Sequence, residues 1–327
     1  MKLSIKTESW PIKGHFTISR SSLTEVDVVT VKIESEAIIG RGECRPYARY
    51  NETTQSVTDQ IETLRADIEM GLTPYDLQSR LPTGAARNAI DCALWDFKCK
   101  KEGQSIYNLI NRPHPSAQPT AFTLSVDSPE IMAKAAIGAS SFNILKLKVD
   151  GDRIFDQIQA VAQTRPDCRL IIDANEALQA QHVYALATHP NAAQIALIEQ
   201  PLHDNIIRKH SFQDYDGPPL CADESFHGID DLLILKSLGY KAVNIKLDKC
   251  GGFTAALDLI KVAKEQGFHI MGGCMLSTSL AVAPMAALMN AFDIIDLDGG
   301  ALLARDREHG LTYKKGRVYP PSSKLWG

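Results

Sequence analysis

Five short apolar runs in this 327-residue chain each close on a charged residue: Asn143-Ile-Leu-Lys146, Leu170-Ile-Ile-Asp173, Ala196-Leu-Ile-Glu199, Leu220-Cys-Ala-Asp223 and Val243-Asn-Ile-Lys246. A charge at the end of a buried strand is costly unless something answers it. Three consecutive runs end in carboxylates, Asp173, Glu199 and Asp223. Gathered at one place they would repel one another without a cation, and an all-oxygen donor set suits a hard divalent ion, with one Mg²⁺ per site as the expectation. Lysines flank the trio. Lys146-Leu-Lys148 has the period-two spacing that points both ammonium groups the same way from one strand, and Lys246-Leu-Asp248 repeats it three strands further on. Lys148 and Lys246 would then face one another, and two bases facing across one carbon can exchange its proton from either side. Neighbouring positive charge is expected to lower the lysine pKa values, and Asp248 is expected to orient Lys246 by a hydrogen bond.

These runs recur at steps of 27, 26, 24 and 23 residues. Extended in both directions at the same pitch, the ladder adds rungs ending near Thr123, Met271 and Asp296, eight in all. Helical patterns lie between them, such as Ile154, Ile158 and Val161. Buried parallel strands alternating with helices at this period predict a closed α/β barrel of the TIM type, with the chemistry at the C-terminal strand ends. A doubly wound open sheet is the alternative, and the absence of a Gly-rich phosphate loop after the first rung disfavours it.

The N-terminal third reads differently. Val26–Glu34 is a β-branched strand, and Ala37–Gly42 completes a hairpin with it. Helices are expected over 53–70, from Val57, Ile61, Leu64 and Ile68, and over 85–101, from Ile90, Leu94 and Phe97. Prolines 113, 115 and 119 mark a linker, so the domain boundary is placed near residue 113. The uncharged stretch Ile270–Phe292 contains Gly272-Gly273, Pro284 and many alanines; it reads as a buried strand and helix and not as a membrane span. The charge balance, 35 basic against 39 acidic residues, argues against nucleic acid or an anionic membrane as partner. Seven scattered cysteines without a CxxC pair, and no apolar leader at the N-terminus, fit a reduced cytoplasmic protein.

Taken together, Lys146-x-Lys148, Asp173-Ala-Asn175, Glu199-Gln-Pro201, Asp223-Glu-Ser225 and Lys246-x-Asp248-Lys-x-Gly-Gly252 resemble the enolase superfamily, in the subgroup of muconate-lactonizing enzyme. The resemblance spans almost the whole chain. It implies an α+β capping domain over 1–113, a (β/α)7β barrel over 114–300, and a C-terminal segment, 301–327, that returns towards the capping domain and completes it. Within the subgroup the likeness is to dipeptide epimerases, through Asp296-Leu-Asp298-Gly299. It implies that Asp296 and Asp298 bind the α-ammonium of a small dipeptide, with Ala-Glu as the default and peptidoglycan peptides as its source. It also implies that Arg20 holds a glutamyl side-chain carboxylate, that Thr123, Cys274, Met275 and Ser277 contact substrate, and that Arg45–Tyr50 forms a second capping loop. In this reading Lys148 and Lys246 are expected to be the bases, Lys146 to lend positive charge to the enediolate, and Asp173, Glu199 and Asp223 to hold the metal. A homo-oligomer is compatible with this reading. The competing reactions are o-succinylbenzoate synthesis, cycloisomerisation and N-acylamino acid racemisation, whose substrates lack the free ammonium; a non-catalytic binding barrel is the other alternative.

Overall fold

The computed structural model describes all 327 residues. Strands β1 (Lys2–Ile18), β2 (Ser21–Ser35) and β3 (Ile38–Cys44) form an antiparallel sheet in chain order. The register pairs Ile5 with Val31 in the first hairpin and Val31 with Gly42 in the second. Val29, Val31 and Ile33 turn inward against Ala85, Ala89, Ile90 and Ala93 of the helix Ala85–Glu102. That helix lies almost on the backbone of β3: a Cβ at Gly42 would stand 2.1 Å from the Ala89 carbonyl oxygen. The helix expected over 53–70 is two helices, Thr54–Thr63 and Arg65–Met70, broken at Leu64. Apolar spacing continues across the break, which is why the sequence reads as one.

A two-residue strand, β4 (Gln118–Pro119), leads into the barrel. Its eight parallel strands are β5 (Phe122–Leu124), β6 (Ile144–Lys148), β7 (Arg169–Asp173), β8 (Ile195–Glu199), β9 (Leu220–Ala222), β10 (Ala242–Ile245), β11 (His269–Gly273) and β12 (Ile294–Asp296), adjacent in sequence order. Each rung of the sequence ladder therefore falls on a strand or on the residue that follows one. The ring closes where Ala121 N donates to Ile295 O at 2.8 Å.

Alternation along the strands sorts the residues. Leu145, Leu147, Ile172, Ile198, Val243 and Ile270 face the surrounding helices. Ile171, Leu197, Cys221, Ala242 and Met271 face inward and fill the barrel interior. One step of two residues further along the inward face come Asp173, Glu199 and Asp223, and two such steps beyond Ala242, past Asn244, comes Lys246. The apolar plug thus forms the floor under a charged layer. The stretch Ile270–Phe292 is β11 followed by the wholly buried helix Ser279–Ala287.

Two final strands, β13 (Tyr313–Lys314) and β14 (Arg317–Val318), pair with β4 in a small antiparallel sheet. Beyond them the chain runs back to the capping helix, where buried Trp326 donates from Nε1 to Cys92 O at 2.9 Å. A second contact joins the same helix to the barrel. Gly251 and Gly252 have φ of +83° and +119°, and side chains there would strike Arg87 and Asp91.

Candidate active site

The register of the barrel sets the charged layer at one height. Lys148 pairs with Asp173 across β6 and β7, and Asp173 with Glu199 across β7 and β8. Lys246 follows β10, with three strands between it and β6. Lys148 Nζ lies 2.6 Å from Asp173 Oδ2, and Lys246 Nζ lies 2.7 Å from Asp223 Oδ2. Lys146 sits between them and contacts three carboxylates: Asp173 and Glu199 at 2.8 Å and Asp296 at 2.7 Å. The contact to Glu199 Oε2 is an ion contact whose angle is not that of a hydrogen bond. All of these side chains are buried.

Electrostatics divides the carboxylates. Burial pushes Asp173 and Asp223 up, but lysines outweigh it; Lys146 and Lys148 hold Asp173, and Lys246 and Lys249 hold Asp223, below the usual carboxylate range. Glu199 is pushed up to about 8 by burial and by Asp173, against Lys146. Burial would lower Lys146 and Lys246, yet the facing carboxylates, Asp173 first for Lys146 and Asp223 for Lys246, push both upward. The expected lowering is therefore not found at Lys146 and Lys246, where acidic neighbours outweigh basic ones. Asp298 is pushed up to about 7 by burial and by the charge of Asp296, opposed by the bond from Thr123.

A divalent cation fits the donor set. Asp173, Glu199 and Asp223 end three adjacent strands, offer only oxygens, and include one carboxylate that the lysines leave short of positive charge. The side chains are turned to ammonium groups and no three acidic groups form a preassembled cage. A hard ion would compete with lysines for the same oxygens and so free the amines.

The remaining expected residues divide. The cavity over the charged layer is lined by Thr123, Cys274, Met275, Asp296 and Asp298. Thr123 contributes its backbone, whose N–H donates to Asp298 Oδ2 at 2.6 Å. Asp296 Oδ1 has no partner. Ser277 does not line the cavity; its hydroxyl donates to Met275 O at 2.9 Å and braces that loop from within. Asp248 makes no hydrogen bond to Lys246. It accepts from Asn88 Nδ2 at 2.9 Å and from Arg45 N at 3.2 Å, facing the capping domain, because Lys246 is turned to Asp223 instead. Arg20, on the tip of the β1–β2 hairpin, reaches the rim. It donates there to Asn175 O, Tyr47 Oη and Glu224 Oε1 at 2.8, 3.0 and 3.0 Å.

Sequence reasoning passed over four buried residues. Lys249 donates to Asp223 Oδ1, Asp223 O and Asn244 O, so it clamps Asp223 in place. Asn244 donates to Glu199 Oε1 at 2.7 Å. Glu224 carries an unpartnered Oε2. Gln200 accepts from Asp223 N and Ser225 N. Three of them lie inside the quoted motifs, and Asn244 precedes Lys246 by two on the same face.

Two family models account for nearly the whole chain: "Mandelate racemase / muconate lactonizing enzyme, N-terminal domain" over residues 1–111 and "Enolase C-terminal domain-like" over 130–324. The chain belongs to the mandelate racemase/muconate-lactonizing branch of the enolase superfamily. Among relatives of this enolase-superfamily chain, the L-Ala-D/L-Glu epimerase of Escherichia coli is 41% identical, over 95% of this chain and 97% of that protein. An N-acetyl-D-glutamate racemase of a Pseudoalteromonas species is 37% identical over 92% and 95%. A crystal structure of an enolase family member from Agrobacterium tumefaciens, described as having bound sodium and L-Ala-L-Glu, superposes with a TM-score of 0.93 at 40% identity and 99% coverage of both chains. A dipeptide epimerase of Enterococcus faecalis, complexed with Mg and L-Leu-L-Tyr, gives 0.89 at 26% identity, covering 98% and 96%.

Proposed function

We propose that this enzyme inverts the α-carbon of the C-terminal residue of a dipeptide, with L-Ala-D/L-Glu as the reference substrate, by two-base 1,1-proton transfer. The observation that carries the reading is the combination of two lysines set across one mouth with a pair of aspartates at and just past the end of the eighth strand. The relative 41% identical to this chain, an L-Ala-D/L-Glu epimerase, supports it.

The chemistry follows from the groups present. The α-proton beside a carboxylate is weakly acidic because its loss puts two negative charges on one carboxyl group. A magnesium ion held by Asp173, Glu199 and Asp223 would supply positive charge against that build-up. Lys146 adds its own ammonium nearby. One lysine, as the free amine, takes the proton onto Nζ while the opposed lysine, as the ammonium, delivers one to the other face. The two exchange protonation states, and no net proton is gained or lost. Asp296 and Asp298 receive the α-ammonium of the first residue: Asp296 Oδ1 is unpartnered, and an arriving cation offsets the burial and repulsion that push Asp298 up.

The N-acetyl-D-glutamate racemase, 37% identical to this chain, favours a second reading, racemisation of an N-acylated glutamate. Such a substrate brings no ammonium to the two aspartates and leaves Asp296 Oδ1 unpartnered. The deciding experiment follows α-deuterium incorporation in D₂O with Mg²⁺, on L-Ala-D-Glu and N-acetyl-D-glutamate side by side. Exchange of the dipeptide at a kcat/KM at least about 10²-fold above the N-acyl compound is expected. The reverse order would overturn the dipeptide reading. A cytoplasmic role in recycling peptidoglycan peptides is part of the proposal; the seven free cysteines support the compartment, and no helix is long and apolar enough to cross a membrane.

A further inference from the structure

Three arginines of the capping loops approach the mouth, and they are not equivalent; Arg49 is taken up by Glu176, at 2.9 Å from Nε and 2.8 Å from Nη2. The guanidinium of Arg20 is taken up by protein acceptors, with Glu176 Oε2 at 3.4 Å beyond the three named above, and it does not line the cavity. Arg45, the first residue of the second capping loop, does line it. Its guanidinium forms no hydrogen bond and no ion pair with the protein; it rests over the ring of Tyr47, 5.3 Å from the centroid. Asp248 and Asp27 act on it only through space, and burial works against its charge. The other cations lining the cavity, Lys146, Lys148 and Lys246, are each paired with a carboxylate. Arg45 is thus the cavity cation without a counter-ion. Its backbone is nevertheless fixed, since Arg45 N donates to Asp248, which Asn88 holds in turn.

A half-buried guanidinium with its donors unused is costly until an anion meets it, and its planar fork matches a carboxylate. We propose that Arg45 receives the side-chain carboxylate of the substrate's reacting residue, so that the enzyme selects dipeptides ending in an acidic residue. Arg20 then serves as a latch. Through Glu224, Asn175 and Glu176 it ties the β1–β2 hairpin to the barrel. This assignment rests on the dipeptide reading above and narrows its substrate class.

The test compares α-proton exchange of L-Ala-L-Glu and its neutral isostere L-Ala-L-Gln by wild type, Arg45→Gln, Arg45→Lys and Arg20→Gln. Wild type should prefer the Glu dipeptide. Arg45→Gln should lose about 10²-fold more kcat/KM on Glu than on Gln, mainly through KM, because a charge-assisted fork is removed. Arg45→Lys should regain part of the preference. Arg20→Gln should lower both substrates by similar factors, as loss of a latch would. A wild type without preference for Glu, a preference that survives Arg45→Gln, or one abolished by Arg20→Gln and not by Arg45→Gln, each overturns the assignment while leaving the epimerase reading intact. Wild-type enzyme that exchanges neither dipeptide overturns both.

Discussion

Each lysine at the mouth is held by a carboxylate that is also a candidate metal ligand, so a substitution there has to be read by reaction step as well as by rate. Lys148→Ala and Lys246→Ala are each expected to lower epimerisation by at least about 10³-fold, the loss of a positioned base or acid. If each lysine serves one face, one variant should still wash the α-proton out of one isomer in D₂O and the other variant out of its mirror partner. NMR of the exchanged dipeptide reads this directly, and full epimerisation by both variants would refute the two-base scheme. Asp298→Asn keeps the side chain's shape beside Thr123 N but removes the charge. KM for a free-amino dipeptide should rise about tenfold or more, with magnesium affinity from calorimetry unchanged; unchanged dipeptide kinetics would rule out the ammonium role. The side chains proposed to carry this chemistry were legible because strand ends in a barrel concentrate charge at a fixed period. Asp248 was misjudged because spacing gives the side of a strand and not the partner: Lys246 turns to Asp223, and Asp248 to Asn88 and the capping loop. The free guanidinium of Arg45 has no sequence signal at all, since it depends on which acceptors other elements leave unclaimed.

Among the elements, the barrel strands were readable and β1 was not. Strands buried on both faces are short apolar runs with abrupt ends, whereas Lys2–Ile18 mixes polar and apolar residues, carries Pro11 and Gly14, and shifts register between Pro11 and Phe16. Its pairing with β2 stabilises it more than its own pattern does. Close approach of elements is the other feature hidden from periodicity. Gly42 is a glycine because helix Ala85–Glu102 crosses β3 at backbone distance, and a methyl group there would meet the Ala89 carbonyl oxygen and the Ala93 nitrogen, neither of which can swing aside. Gly42→Ala is expected to cost about 2 kcal/mol or more and to lower the urea midpoint. Gly138, at the end of helix Pro129–Gly138, has open space where a Cβ would stand, so Gly138→Ala should be neutral or stabilise by up to about 1 kcal/mol. Equal effects of the two substitutions would contradict the packing argument.

At the scale of the molecule, the capping sheet, the barrel and the C-terminal segment meet at Arg307. Its guanidinium donates to Glu8 Oε2 at 2.7 Å, Glu43 Oε2 at 2.6 Å and Thr30 Oγ1 at 2.8 Å, while Glu43 also accepts from Thr278 N, beside the Cys274–Ser277 loop. One cation thus fixes β1, β2 and β3 against the loop that lines the cavity. This junction has a pH signature. Burial would raise Glu8, but Arg307 with Lys6 and Thr30 outweighs it and lowers the carboxyl from 4.5 to about 2. Because the folded state binds this proton more weakly than the unfolded one, the stability it contributes is complete above about pH 4.5. It is then lost as pH falls towards about 2. Solvent reaches the pair, so the contribution is no more than about 1–2 kcal/mol. Glu43 is shifted the other way by burial, against Arg307 and Thr278, so its contribution has the opposite sign and the two must be separated. Glu8→Gln separates them: it removes one titrating group and leaves Glu43 in place. Urea unfolding measured from pH 5 to pH 3 should show a shallower loss of stability in Glu8→Gln than in wild type, the two curves converging towards the acid end. Parallel curves over that range would mean that Glu8 is not held by Arg307 in solution.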